Sequence, residues 1–201
     1  LISNSHASEV SFHGKFVQGG IIIGHSSLAE KVFFDGQELQ ISNDGNFIFG
    51  FGRNHKKSSI IKLKFPNKTE TYNVDIKKSD YKIEKIDGLP SKMVTPGPEL
   101  YERIKNDRVL IGQALKEDYQ SEKFTNKFIW PSKGRISGVF GSQRILNGKP
   151  KWPHYGIDIA AKQGTMIKSS ASGTVTMAED DLYYTGGTII MDHGHGISTI
   201  Y

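Results

Sequence analysis

The segment HYGID, residues 154 to 158, sets a histidine and an aspartate four positions apart around a glycine. An imidazole nitrogen and a carboxylate oxygen form a suitable donor pair for Zn²⁺. In an extended strand, positions 154, 156 and 158 share one face. His154 and Asp158 would then converge, with Gly156 leaving room between them, while Ile157 and Ile159 anchor the other side. Two donors do not complete a zinc site: a third protein ligand is needed, and a catalytic centre also keeps a position open for water. A polar turn in which the histidine hydrogen-bonds the aspartate gives the same spacing. Residue types and spacing leave both readings open.

The other histidines are less suggestive. His6 lies close to the N-terminus, and His13, His25 and His55 fall at strand ends or turns with no carboxylate at ligand spacing. These are expected to be surface or hydrogen-bonded histidines. His193 and His195 form HGH, with glycines on both sides of the second histidine that favour a turn.

The elements that must position HYGID are mostly strands. Residues 16–24, 31–41, 45–51, 59–65 and 69–78 carry apolar runs separated by turn signals, including Asp35-Gly36 and Asn43-Asp44-Gly45. This pattern predicts a small β-sandwich over residues 1–85, with Tyr72, Val74 and Ile76 on one face of the last strand. A Pro/Gly linker and an amphipathic helix follow over 86–124. The helix is read over 98–122, with Leu100, Ile104, Ile111 and Leu115 near a helical period and Pro98 in its first turn. From residue 125 to 201 the strand pattern returns in RISGVFG, GIDIAA, TMIKSS, GTVTMAED, GTIIMDHG and ISTIY. The fold class expected is therefore mainly β: an N-terminal β-sandwich-like domain, a linker helix, and an incomplete antiparallel β-sheet domain.

Composition bounds the function classes. The chain has 201 residues, 36% of them hydrophobic, and 22 glycines, as a soluble globular protein with many turns would. A net charge of +5 favours anionic material such as an acidic cell-wall polymer. The charge is dispersed, without a dense basic face carrying interleaved aromatics, so no nucleic-acid partner is expected. The absence of cysteine excludes a disulfide framework and a thiolate metal site. No stretch reaches the roughly 20 apolar residues that span a bilayer. The opening LISNSHA, without an initiator methionine, fits a trimmed product of an export signal.

The motifs around HYGID, read in order, carry a family resemblance. A Phe-Gly (140–141) precedes a loop bearing Arg144; H-x-G-x-D follows at 154–158, then Ala-x-x-Gly-Thr at 161–165, ASGTV at 171–175, and Asp-His-Gly-x-Gly at 192–196 leading to Tyr201. This ordered set resembles the LytM/lysostaphin-like zinc metallopeptidases of family M23, in particular exported two-domain members with a β-sandwich and helix before the peptidase domain. The resemblance implies a zinc-dependent endopeptidase that cleaves peptide stems or crossbridges of bacterial peptidoglycan. It implies His154 and Asp158 as two of three zinc ligands, and Arg144 as a residue at the substrate groove. It further implies an exported protein of the periplasm or cell envelope, with peptidoglycan peptides as partners and an envelope protein as a candidate partner of the N-terminal domain.

HGH at 193–195 looks like the family's terminal H-x-H motif, but its context matches the earlier Asp-His-Gly-x-Gly hairpin. His193 and His195 are therefore assigned a structural or groove-edge role. The family's catalytic histidines and third zinc ligand are expected beyond Tyr201, so a polypeptide ending there is expected to bind zinc poorly and hydrolyse nothing. The alternative from another class is a non-enzymatic cell-wall regulator or peptidoglycan-binding module with a degenerate peptidase domain. Retention of both His154 and Asp158 argues for the enzyme.

Overall fold

The computed structural model describes residues 10–89, 95–119 and 121–201. The chain is mainly β and divides into two units at Asp80/Tyr81.

The first unit holds β1 (Ser11–Gly14), β2 (Ile21–His25), β3 (Lys31–Phe34), β4 (Gln37–Leu39), β5 (Asn46–Gly50), β6 (Ser58–Phe65) and β7 (Lys68–Asp75). They form two antiparallel sheets, β1-β2-β5 and β4-β3-β6-β7. Strand β6 shows why: its burial alternates strictly, with Ser59, Ile61, Leu63 and Phe65 inward and Ser58, Ile60, Lys62 and Lys64 outward. The inward set meets Ile22, Phe47 and Phe49 from the other sheet in one core. Each apolar side chain among them contributes about 1.5–3 kcal/mol by leaving water. Tyr72, Val74 and Ile76 pack against or within this core, as their spacing predicts.

Two strand expectations change here. Residues 31–41 form a hairpin, not one strand, because Asp35 and Gly36 both take positive φ (48° and 87°), the signature of a tight two-residue turn. Residues 16–24 contain a turn, with the strand beginning at Ile21; β1, too short and mixed to stand out in the sequence, pairs with it.

The second unit holds β8 (Ile83–Ile86), α1 (Tyr101–Ala114), β9 (Arg135–Gly138), β10 (Gln143–Leu146), β11 (Lys149–Pro150), β12 (Asp158–Ala160), β13 (Thr174–Leu182), β14 (Gly186–Asp192) and β15 (Ser198–Ile200). The sheets are β11-β10-β8, β12-β9 and β13-β14-β15. The expected boundary after residue 85 cuts through β8, which pairs in parallel with β10 from Gln143 to Leu146 and so belongs with this unit. Residues 90–94 of the expected linker lie outside the described residues.

Helix α1 follows a 3₁₀ turn at Pro98–Leu100 and ends at Ala114, short of the expected 122. Past its end the chain is tied to the sheet, the Tyr119 backbone N–H donating to Asp192 Oδ2 at 3.1 Å. Ile111 and Ala114 pack on Met177, Leu182 and Ile190 of β13 and β14, which fixes the helix on that sheet. Leu115, expected on the apolar face, is instead 44% exposed, because the helix has already ended. TMIKSS (165–170) is irregular and not a strand; its backbone makes loop bonds such as Lys168 N–H to Pro131 C=O. The hairpin β10–β11 was not anticipated, although Asn147-Gly148 announces it with φ of 48° and 74°.

Candidate metal-binding pair and its surroundings

His154 lies outside any strand, since the ladder with β9 begins at Asp158. The expected strand alternation therefore does not bring the pair together. Pro153 has no N–H to offer a ladder, and the segment is held by the preceding loop instead. The His154 N–H donates to Ser142 C=O at 2.8 Å, and its C=O accepts from the Gly141 N–H at 2.7 Å. The Phe-Gly motif thus clamps the histidine backbone. Asp158 is placed by a β-bulge, where the β12–β9 register shifts between Asp158 and Ile159.

The side chains still converge. His154 Nε2 stands 3.1 Å from Asp158 Oδ1, and His154 Nδ1 donates to Val139 C=O at 3.2 Å. With Nδ1–H engaged by the carbonyl, Nε2 is the ring nitrogen that faces the aspartate, and it is the one free to bind a metal in place of a proton. Gly138, paired with Asp158, leaves space for the carboxylate: a Cβ there would collide with Asp158 Oδ2. The pair is accessible, with side-chain exposures of 31% and 63%. Exposed Tyr155 and Trp152 flank the histidine, and the Tyr155 ring meets Phe140 at 6.4 Å, which in turn meets Tyr81 at 6.2 Å. One imidazole nitrogen and one carboxylate match part of a zinc donor set. No group of three metal-binding side chains occurs among the described residues, so the pair fits one edge of such a centre.

Arg144 sits on β10 and pairs with Glu84 of β8 (Nε to Oε2, 3.4 Å). Lys82, and then Arg144, draw the Glu84 carboxyl below the usual carboxylate range. The guanidinium is largely exposed, so its remaining donors face solvent.

His193 and His195 separate sharply. His193 is fully buried; its Nδ1 donates to Ser172 C=O at 2.6 Å, and Nε2 accepts from Thr199 Oγ1 at 2.8 Å. Both ring nitrogens are therefore engaged within the protein. Gly173, from ASGTV, packs on this ring; a Cβ there would stand 2.8 Å from Nδ1. His195 takes a left-handed conformation (φ 55°) between Gly194 and Gly196, and its ring lies 4.5 Å from that of Phe124. HGH is the turn joining β14 to β15, closed by the His193 N–H to Ile197 C=O at 2.8 Å. Tyr201 faces the same region: its hydroxyl accepts from the Ser170 N–H at 2.7 Å. Burial works upward on this phenol, but hydrogen bonds from Ser170, Thr199 and Ser169 outweigh it and draw its pKa below the usual value.

His55 is hydrogen-bonded, as expected, but its link to a carboxylate was not read from the sequence. Its Nε2–H donates to Ser59 Oγ at 2.6 Å, and Ser59 Oγ–H donates to Asp35 Oδ2 at 3.0 Å. The Asp35-Gly36 turn carried the signal, because it puts a carboxylate at the end of β3 opposite β6.

Comparison with known proteins agrees with this picture. No curated protein matches the chain. A solved structure from Pseudomonas aeruginosa, described as a peptidase M23, is similar over 92% of this chain and 72% of its own, at 19% identity and a TM-score of 0.63. At that identity the likeness shows the fold. The model of peptidase family M23 matches residues 152–201, the stretch that holds His154, Asp158 and the HGH turn. Over that stretch the chain is similar to the M23 peptidase family.

Proposed function

We propose that the second unit belongs to a zinc-dependent endopeptidase acting on the peptide stems or crossbridges of peptidoglycan. The observation that carries this reading is the His154–Asp158 pair, with Nδ1 bonded to Val139 and Nε2 turned to the aspartate, inside the region that matches the M23 family. His154 Nε2 and an Asp158 oxygen would hold the metal, and a further donor would come from outside the described residues. Bound zinc would polarise a peptide carbonyl and a water molecule. The chain's own residues would orient the substrate: Arg144 through guanidinium donors not used by Glu84, and Tyr155 and Trp152 through exposed rings beside the metal pair. Among the described residues no helix is long and apolar enough to cross a membrane. We place the protein in the periplasm or cell envelope, where its substrate is found, with an envelope protein as a candidate partner of the first unit.

The second reading is a non-enzymatic cell-wall module. One experiment separates the two. Residues 1–201 are compared with a polypeptide that also carries whatever the reading frame encodes after Tyr201. Zinc content and release of peptides from purified peptidoglycan are measured for both. The expected result is weak zinc binding and no release by the 201-residue polypeptide, with tight binding and release by the longer one. His154→Ala or Asp158→Ala should abolish both properties in the longer protein. Neither tight zinc binding nor peptide release by the longer polypeptide would support the non-enzymatic module, and zinc retention by both His154→Ala and Asp158→Ala would remove the site assignment.

A further inference from the structure

The outer face of the four-stranded sheet in the first unit plays no part in the peptidase reading. A shallow concavity of about 410 Å³ opens there, lined by Phe33, Asp35, Lys56, Ile60, Lys62 and Lys64. Its charges are not equivalent. Asp35 is committed to Lys56 at 3.2 Å, to Ser59 and to the Ile60 N–H. Lys31, paired across the sheet with Lys64, is held by Glu38 at 3.0 Å. Among the described residues Lys62 and Lys64 have no such carboxylate. Lys62 stands opposite Phe33 on one side and Thr71 on the other, and Lys64 Nζ lies 5.1 Å from the centre of the Phe33 ring. A sheet face that leaves two lysines unneutralised beside an aromatic ring and a half-exposed isoleucine has the complement of an anion with an apolar flank.

We propose that this face binds an acidic polysaccharide through carboxylates carried on its sugar rings. Lys62 and Lys64 are two residues apart on one strand, about 6.6 Å, so carboxylates on neighbouring sugars can reach both. The exposed row Thr71 and Asn73, on the adjacent strand and opposite Lys62 and Ile60, offers hydroxyl and amide groups to sugar hydroxyls. Ile60, 47% exposed, offers a small apolar surface to the C–H face of a ring. A nucleic acid is disfavoured because the single aromatic ring in the concavity has Lys64 over its face, leaving no platform for base stacking. A lipid surface is disfavoured because the apolar part is one isoleucine and a partly covered ring, without a protruding apolar ridge. This inference is independent of metal binding or peptidase activity.

The test uses the 201-residue chain, with polygalacturonate as the acidic polysaccharide and dextran as its neutral counterpart. Single-stranded DNA and phosphatidylglycerol vesicles serve as competing anions. Polygalacturonate should bind, dextran should not, and binding should weaken with added salt. Lys62→Gln/Lys64→Gln should weaken polygalacturonate binding about tenfold, as the loss of two exposed charge contacts implies. Lys77→Gln/Lys78→Gln, which removes the same charge elsewhere in the unit, should leave it within about twofold. Thermal unfolding checks that both variants are folded. Equal loss in the two double variants would overturn the proposal, because net charge alone would then explain binding. It would also be overturned by tighter binding of DNA or vesicles than of polygalacturonate, or by no binding to polygalacturonate.

Discussion

His154 and Asp158 meet because the backbone of one is held by a loop and the other sits in a bulge. Their approach was legible as a spacing, but its cause was not. Alternation along a strand was the wrong geometry, since the His154 backbone is bonded to residues 141 and 142 and the ladder begins only at Asp158. The HGH turn was more fully legible, because glycines on both sides of His195 can adopt the left-handed conformation that the turn takes. What the sequence could not disclose is that His193 spends both nitrogens on Ser172 and Thr199. At this scale the sharpest test is Gly138→Ala. The added methyl would push the Asp158 carboxylate aside while the strand pairing remains, so metal affinity of a zinc-binding form should fall about tenfold. Titration with a competing chelator measures this, and unchanged affinity would show that the carboxylate does not depend on that gap.

Among the elements, the long strands were readable and the short or interrupted ones were not. Strand β6 alternates cleanly between core and solvent, whereas β11 and β12 have two or three residues, too few to show a pattern, and are defined by their pairing with β10 and β9. Helix α1 was readable at its start, where Pro98 sets the first turn, but not at its end, which falls at Ala114 although the apolar spacing runs on to Leu115. The β3–β4 turn carries a pH-dependent contribution. Burial works upward on the Asp35 carboxyl, but hydrogen bonds from the Ile60 N–H, Lys56 and Ser59 outweigh it, so its pKa lies below the ordinary aspartate value. The folded form therefore holds this proton more weakly than the unfolded chain. The resulting stability is fully present above about pH 4 and fades as pH falls through the lowered pKa. Asp35→Asn keeps a residue that tolerates positive φ but removes the charge. It should cost about 1 kcal/mol at neutral pH, after allowance for solvent screening, and close to nothing at low pH. Urea unfolding at the two pH values checks this; an equal cost at both would assign the effect to shape instead of charge.

Across the whole molecule, core formation is uneven. The first unit buries Ile22, Val32, Phe47, Ile61 and Leu63 completely, while the second leaves Trp130, Trp152, Tyr155 and Met166 more than half exposed. Both tryptophans of the chain lie in the second unit, so its fluorescence reports on that unit alone. Iodide should quench both, and a peptidoglycan peptide bound beside His154 should shield Trp152; Trp152→Phe removes that shielded component. Fluorescence insensitive to iodide would contradict the exposure. One small feature affects the molecule's chemical lifetime. Asn147 clips its side-chain amide onto Leu89, donating to the Leu89 C=O at 2.6 Å and accepting from the Leu89 N–H at 3.0 Å. The following Gly148 leaves the amide open to attack by the next backbone nitrogen, the route by which asparagine ages to aspartate. The clip restrains that attack, and ageing that overcomes it would exchange a donor for a carboxylate and release Leu89. A stored sample would then split into charge variants, its acidic form marked by a loosened segment next to β8.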